Sequence, residues 1–142
     1  MLVRDVMNKN VITVKPDLSV REAVKLMTRY HIGSLVVMEN ERIVGILTEG
    51  DILRKVVIEE RDLDETKVKE IMSENVITVE PDKRIEDAVE LMTQHKIKKL
   101  PVVEDDKLIG IITTSDIIVV EPKLIEAVAS LISLKIPGYR GG

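Results

Sequence analysis

NVITVKPD at residues 10–17 returns as NVITVEPD at residues 75–82. The match extends outward in both directions. AVKLMT at residues 23–28 is answered by AVELMT at 88–93, and GILTEGDI at 45–52 by GIITTSDI at 110–117. Residues 3–55 and 68–120 align without a gap at an offset of 65, and 23 of the 53 aligned positions are identical. Self-similarity at a fixed period decides the architecture before any local signal does. Two copies imply a pseudo-two-fold unit with two equivalent clefts, so the functional question is what sits between two halves.

One repeat reads as β-α-β-β-α. Residues 11–14 are β-branched and apolar, and the run stops at Pro16, as a strand does. Ser19 and Glu22 have the spacing of a capping box. Val20, Ala23, Val24 and Met27 then follow at helical spacing. Repeat two keeps this stripe as Ile85, Ala88, Val89 and Met92, but Arg84 replaces the capping serine, which predicts a less well capped start. Residues 35–38 and 42–48 are strands joined by the polar turn 39–41, a hairpin. From Thr48 a helix is expected to run through Ile52, Leu53 and Val56. Short helices are expected before each copy, at 3–7 and 68–72. The fold class is therefore α/β (α+β): repeat one at 1–60, a charged connector at 61–67, repeat two at 68–121, and a C-terminal helix and tail at 122–142. Leu124, Ala127, Val128, Leu131 and Ile132 form the apolar stripe of that last helix, which is expected to pack against the body.

Composition narrows the function. At 142 residues the chain is one domain's worth, and each half is near the lower limit for an independent core, so a shared core is expected. Phe and Trp are absent and there are two tyrosines, which disfavours stacking platforms for single-stranded nucleic acid. The net charge of −4 with interspersed signs gives no basic field for DNA or RNA. Cysteine is absent, which excludes disulfides and thiolate metal sites. The first ten residues do not read as a signal peptide, and no apolar run approaches the ~20 residues that span a bilayer. A cytoplasmic protein is expected. His31 and His95 stand at non-equivalent repeat positions and suggest helix-end surface residues rather than a metal cluster. Met27 and Met92 lie on helix stripes and suggest core.

The strongest constellation is Gly-x-x-Thr-x-x-Asp, present as Gly45, Thr48, Asp51 and as Gly110, Thr113, Asp116. Each copy falls where a strand ends and a helix begins. Free N–H groups and the helix dipole at such a junction favour a phosphate. The Thr hydroxyl can donate to a ligand oxygen, and the Asp can accept from a vicinal ribose diol. The same spacing is also a capping box, with Thr capping and Asp reaching back; the two roles can coexist.

The whole pattern resembles the cystathionine-β-synthase (CBS) domain, occurring as a tandem pair or Bateman module. The resemblance is carried by Val11-Ile12-Thr13-Val14 with Pro16, Ala23 with Met27, Leu35-Val36-Val37, Leu100-Pro101-Val102-Val103, and the two Gly-x-x-Thr-x-x-Asp segments. It covers all but about twenty C-terminal residues. Val36 departs from it, standing where the family usually has proline. The resemblance implies a regulatory module that binds adenosine-containing ligands (AMP, ADP, ATP, S-adenosylmethionine or NAD) in clefts between the repeats and signals to a separate effector protein. It implies a homodimer, no catalytic residue, no metal and no catalytic cofactor. Carried over residue by residue, one cleft would use Ile111, Thr113 and Asp116, with Lys98 and Lys99 toward phosphates and Ile12, Thr13, Ile32 and Met7 around the base. The other would use Ile46, Thr48 and Asp51, with Gly33 and Ser34 at the phosphate end and Ile77, Thr78 and Ile97 around the base.

The two clefts are expected to be unequal, with the first preferred. Lys98 and Lys99 face Gly33 and Ser34 in the alignment, and Thr114 faces Glu49, whose carboxylate would repel a polyphosphate. One phosphate-contacting lysine is worth roughly 1–3 kcal/mol, about one to two decades of affinity. The alternative function is a protein-interaction module without tight ligand binding. An enzyme ranks lower, because no nucleophile–base pair or metal-ligand spacing is present.

Overall fold

The computed structural model describes residues 1–131. Its elements in chain order are α1 (Val3–Val6), β1 (Thr13–Val14), α2 (Val20–Tyr30), β2 (Ser34–Glu39), β3 (Arg42–Thr48) and α3 (Glu49–Ile52). They continue as α4 (Val68–Ile71), α5 (Ile85–His95), β4 (Lys99–Glu104), β5 (Lys107–Thr113), α6 (Thr114–Val120) and α7 (Ile125–Val128). These form two compact bodies. The repeat-one body is Val11–Val76; the repeat-two body is Met1–Asn10 together with residues from 77 onward.

The helix that precedes each copy in sequence therefore packs with the other copy. In the repeat-one body, Ser73, just after α4, exchanges both backbone hydrogen bonds with Ile46 of β3, each at 2.9 Å. In the repeat-two body, Asn8, just after α1, does the same with Ile111 of β5 at 2.8 and 2.9 Å. The matching is detailed. Val68 N–H donates to the Leu18 carbonyl and Lys69 N–H to that of Pro16; Val3 N–H donates to Lys83 and Arg4 N–H to Pro81. Main-chain pairing does not depend on side-chain identity, so the plan survives in both copies although half of these residues differ.

Each body has its own hydrophobic core, which corrects the expectation of a shared one. Val14, Val20, Ala23, Met27, Leu35, Val37, Leu47, Ile52, Val56, Val68 and Ile71 form one cluster. Val3, Val79, Ile85, Ala88, Val89, Met92, Leu100, Val102, Ile112, Ile117, Val128 and Leu131 form the other. The exchanged segments supply what fifty-odd residues lack: Val68 and Ile71 close the first core and Val3 the second. The helix stripes expected of α2 and α5 face these cores, Met27 and Met92 included.

In the repeat-one body β1 runs parallel to β2, Thr13 opposite Val36, and β2 pairs antiparallel with β3. In the repeat-two body β4 pairs antiparallel with β5, and the counterpart of β1 is a single parallel bridge, Val79 to Val102. Both hairpins turn through two residues with positive φ, Asn40 and Glu41 (53° and 64°) and Asp105 and Asp106 (51° and 64°). That is the backbone of a type I′ turn, whose twist matches the strands it joins.

Several local expectations are corrected. The helix after Thr48 does not stay α: α3 ends at Ile52 and Leu53–Val57 is a π turn, whereas α6 is α-helical throughout. Ser19 accepts from the Glu22 N–H at 3.2 Å, but the Glu22 carboxylate turns to Lys25, so the box is half made. At α5 the other half is made, Asp87 accepting from the Arg84 N–H at 3.1 Å. The connector at 61–67 is ordered. It is folded onto α2, with Thr66 buried, its carbonyl accepting from Val20 N–H at 2.9 Å, and Arg21 paired to Asp64 at 2.6 Å. The C-terminal segment is a 3₁₀ turn (Pro122–Leu124), α7 and another 3₁₀ turn (Ala129–Leu131) rather than one helix. It packs on the core as expected, through Val128 and Leu131. Ile132 and the tail lie outside the described residues.

Candidate functional site

Both Gly-x-x-Thr-x-x-Asp segments are strand-to-helix junctions in which the Thr is the N-cap. In each, the Thr N–H donates to the Asp Oδ2 at 3.0 Å, and the Asp N–H donates to the Thr Oγ1, at 3.3 Å for Asp51 and 3.2 Å for Asp116. The capping role is thus present in both copies. The next N–H is also engaged: Glu49 donates to the Gly33 carbonyl and Thr114 to that of Lys98, each at 3.0 Å. The expectation of several free N–H groups is corrected, since the cap takes the Asp N–H and a strand-side carbonyl takes the N–H after the Thr.

The glycines serve packing. A Cβ on Gly45 would collide with the Met72 side chain and lie 3.0 Å from the Ser73 carbonyl; one on Gly110 would lie 2.6 Å from the Met7 Sδ and 3.1 Å from the Asn8 carbonyl. The first residue of the motif lets the exchanged segment lie flat on the strand. That is where Met7 is placed, half-buried over β5.

Beyond this shared frame the junctions diverge. Thr48 Oγ1 also donates to Asp51 Oδ2 at 3.1 Å, and Asp51 Oδ1 is approached by Arg54 Nη2 and Lys55 Nζ, both at 3.3 Å. Asp51 is 5% exposed. In repeat two the Thr113 hydroxyl hydrogen and Asp116 Oδ1 have no partner among the described residues, and Asp116 is half-exposed. The residues standing where Arg54 and Lys55 would be are Val119 and Val120. Sequence reasoning missed this pair of cations, although the gapless alignment carried the signal: Arg and Lys at i+3 and i+4 from one aspartate, valines from the other.

The residues assigned to phosphates do lie beside the junctions. Lys99 is the cross-strand partner of Thr113, and Ser34 that of Thr48. Lys98 is exposed and forms no ion pair among the described residues. The Glu49 carboxylate lies directly against Gly33, where even a Cβ would meet it. It fills one side of a cavity of about 530 Å³ lined also by Met27, His31, Ile32 and Leu53. His31 is the left-handed cap of α2 and His95 the last residue of α5, both exposed.

The base-side residues are distributed by body. Ile12, Thr13 and Ile32 belong to the repeat-one body, where Ile12 and Ile32 pack on its core and Thr13 is exposed. Ile77, Thr78 and Ile97 belong to the repeat-two body, the two isoleucines on its core and Thr78 exposed. Thr78 borders a cavity of about 390 Å³ that is lined by Glu80, Asp87 and Glu90 with one cation, Lys83. The backbones of Ile46 and Ile111 are held by Ser73 and Asn8.

A frame of this kind, β-α-β-β-α with a capped Thr-x-x-Asp junction and built twice, defines a tandem CBS module. The chain belongs to the CBS domain family, whose model matches residues 3–58 and 68–122. It is 41% identical over 128 residues to protein MK0525 of Methanopyrus kandleri, covering 89% of this chain and 65% of that one. It is 37% identical over 117 residues to the CBS domain-containing protein YhcV of Bacillus subtilis, covering 82% and 83%. Among solved structures it resembles the CBS domain pair of protein MJ0100 in complex with 5′-methylthioadenosine and S-adenosyl-L-methionine. The TM-score is 0.78 at 30% identity, covering 87% of this chain and 97% of that one. Among the described residues no helix is long and apolar enough to cross a membrane.

Proposed function

We propose that this module senses an adenine nucleotide or a related adenosine-containing ligand, and that it regulates a separate partner without catalysing a reaction. The observation that carries the reading is the repeat-two junction. A vicinal diol can donate to an acceptor and accept from a neighbouring donor, and Asp116 Oδ1 and the Thr113 hydroxyl offer that pair. Lys98 and Lys99 next to Thr113 would meet the phosphates, and an aliphatic surface from Ile12, Ile32 and Met7 would take the base. The reading is supported by the adenosine-containing ligands of the MJ0100 domain pair. In repeat one the same roles fall to Thr48, Asp51, Ile46, Gly33 and Ser34, with Ile77, Thr78 and Ile97. There the Glu49 carboxylate disfavours a polyphosphate.

The test is a thermal-shift panel with AMP, ADP, ATP, S-adenosylmethionine and NAD. A ligand at a hundred times its dissociation constant adds about 2.7 kcal/mol, a shift on the order of 5–10 °C for a protein of this size. Asp116→Ala should abolish the shift that Asp51→Ala leaves in place. Silence across the panel at millimolar ligand defeats the reading.

The second reading, an interaction module, is favoured by exposed apolar side chains at Leu53, Val57 and Ile58 and at Val119, Val120 and Ile125. The same side chains support the homodimer that belongs to the first reading. Ligand silence together with a stable dimer in analytical ultracentrifugation selects the interaction module.

A further inference from the structure

We propose that Arg54 and Lys55 form an internal plug for the repeat-one junction, occupying the carboxylate oxygen that a ligand's diol would otherwise take. The plug sets the order in which the two junctions fill, repeat two first. The inference rests on the ligand-sensing reading above and assigns to that site two specificity-determining residues outside the Thr-x-x-Asp motif.

Three observations converge. Asp51 has both oxygens engaged, Oδ2 by the backbone and hydroxyl of Thr48, and Oδ1 by Arg54 and Lys55, each cation at 3.3 Å. Lys55 is anchored at the same time, its Nζ donating to the Ile71 carbonyl at the end of α4 at 2.9 Å. Arg54 lies over Gly50, where a Cβ would come within 2.6 Å of its Nη1. Repeat two lacks all three parts of this device: Ser115 stands for Gly50, Val119 for Arg54 and Val120 for Lys55.

The physical consequence is competition. A diol approaching Asp51 must displace two charge-assisted contacts from a carboxylate that is almost wholly buried, and such contacts are stronger than neutral hydrogen bonds. A diol approaching Asp116 displaces no contact of Oδ1 among the described residues. Arg54 is mostly exposed and free to swing out, whereas Lys55 is held by Ile71. The repeat-one junction is therefore restrained rather than closed, and its occupancy is coupled to the seat of α4.

The experiment is calorimetric titration of the full chain with AMP, ADP, ATP and S-adenosylmethionine. The wild type should give a tight phase, removed by Asp116→Asn, and a phase at least about tenfold weaker, removed by Asp51→Asn. R54V/K55V, which installs the repeat-two residues, should tighten the weak phase about tenfold. Gly50→Ser should tighten it in the same direction by displacing the guanidinium. The reciprocal graft V119R/V120K should weaken the tight phase by a similar factor. R54Q/K55Q keeps side-chain length while removing charge, and it answers the same question if the valine variant melts early. Binding by the wild type with both phases unmoved by R54V/K55V, R54Q/K55Q and V119R/V120K overturns the plug and leaves the ligand-sensing reading standing. No binding by wild type or any variant overturns both.

Discussion

Asp51 and Asp116 occupy the same backbone position, close the same capping box and differ in their further partners. One is buried beneath two cations; the other is half-exposed beside two valines. The exchanged segments, by contrast, repeat their hydrogen bonds residue for residue although Asn8 and Ser73, Arg4 and Lys69, and Lys83 and Leu18 differ in type. Backbone pairing tolerates such changes, and a capping side chain does not constrain the residue one turn later.

The cores should respond alike, and this is where the largest effect is expected. Leu35→Ala and Leu100→Ala remove equivalent, wholly buried side chains, and each should cost about 2–5 kcal/mol. Denaturant melts that differ by more than the spread of that class would break the equivalence of the bodies. Next come the glycines. Gly45→Ala and Gly110→Ala force a methyl against a methionine and a backbone carbonyl, an overpacking of about 1–3 kcal/mol. Trimming Met72 or Met7 to alanine in the same chain should recover part of the loss. Smaller still is the cap. Thr48→Ala and Thr113→Ala should each cost about 1 kcal/mol, and Thr48 more, because its hydroxyl both accepts from and donates to Asp51.

The smallest expected effect concerns acid. Lys69, hydrogen-bonded and ion-paired to Asp17, holds that carboxyl below the usual aspartate range. The backbone N–H groups of Glu65 and Asp64 do the same for Asp62, and that of Lys67 for Glu70. Carboxyls with depressed values stabilise the fold above their ordinary range and lose that contribution as pH falls through the lowered values. All three lie in the repeat-one body. Hydrogen-exchange protection in the connector, corrected for the intrinsic exchange rate at each pH, should therefore fall between neutral pH and pH values below the ordinary carboxylate range. Because the groups are exposed, the effect should be modest and should shrink with salt.

Most of the frame was legible in the sequence, for a definite reason. β3 was read at its observed bounds because its apolar run is framed by a polar turn and by Thr48, and the α2 and α5 stripes follow the helical period. The body boundaries were not legible, since the bonds that seat α1 on β5 are made by main chain and leave no side-chain signature. The shared-core expectation failed for the same reason: counting residues within a repeat omits Val3, Val68 and Ile71. The π turn after Ile52 follows a sequence whose apolar spacing fits an α-helix equally well. At the junctions, the Glu49 carboxylate stands against Gly33, a contact the alignment did not reveal. Arg54 and Lys55 went unread because they lie one helical turn beyond the last residue of the motif.

The segment exchange also makes the two bodies unequal in time. The repeat-one body closes through Ile46 and Ser73, near neighbours in the chain, and can finish as soon as α4 is available. The repeat-two body closes through Asn8 and Ile111, so its first strand-to-segment contact waits for nearly the whole described chain to be present. Contacts so distant in sequence are slow to form. Until residues 77 onward are present, Val3 and Met7 lack the core on which they pack in the folded chain.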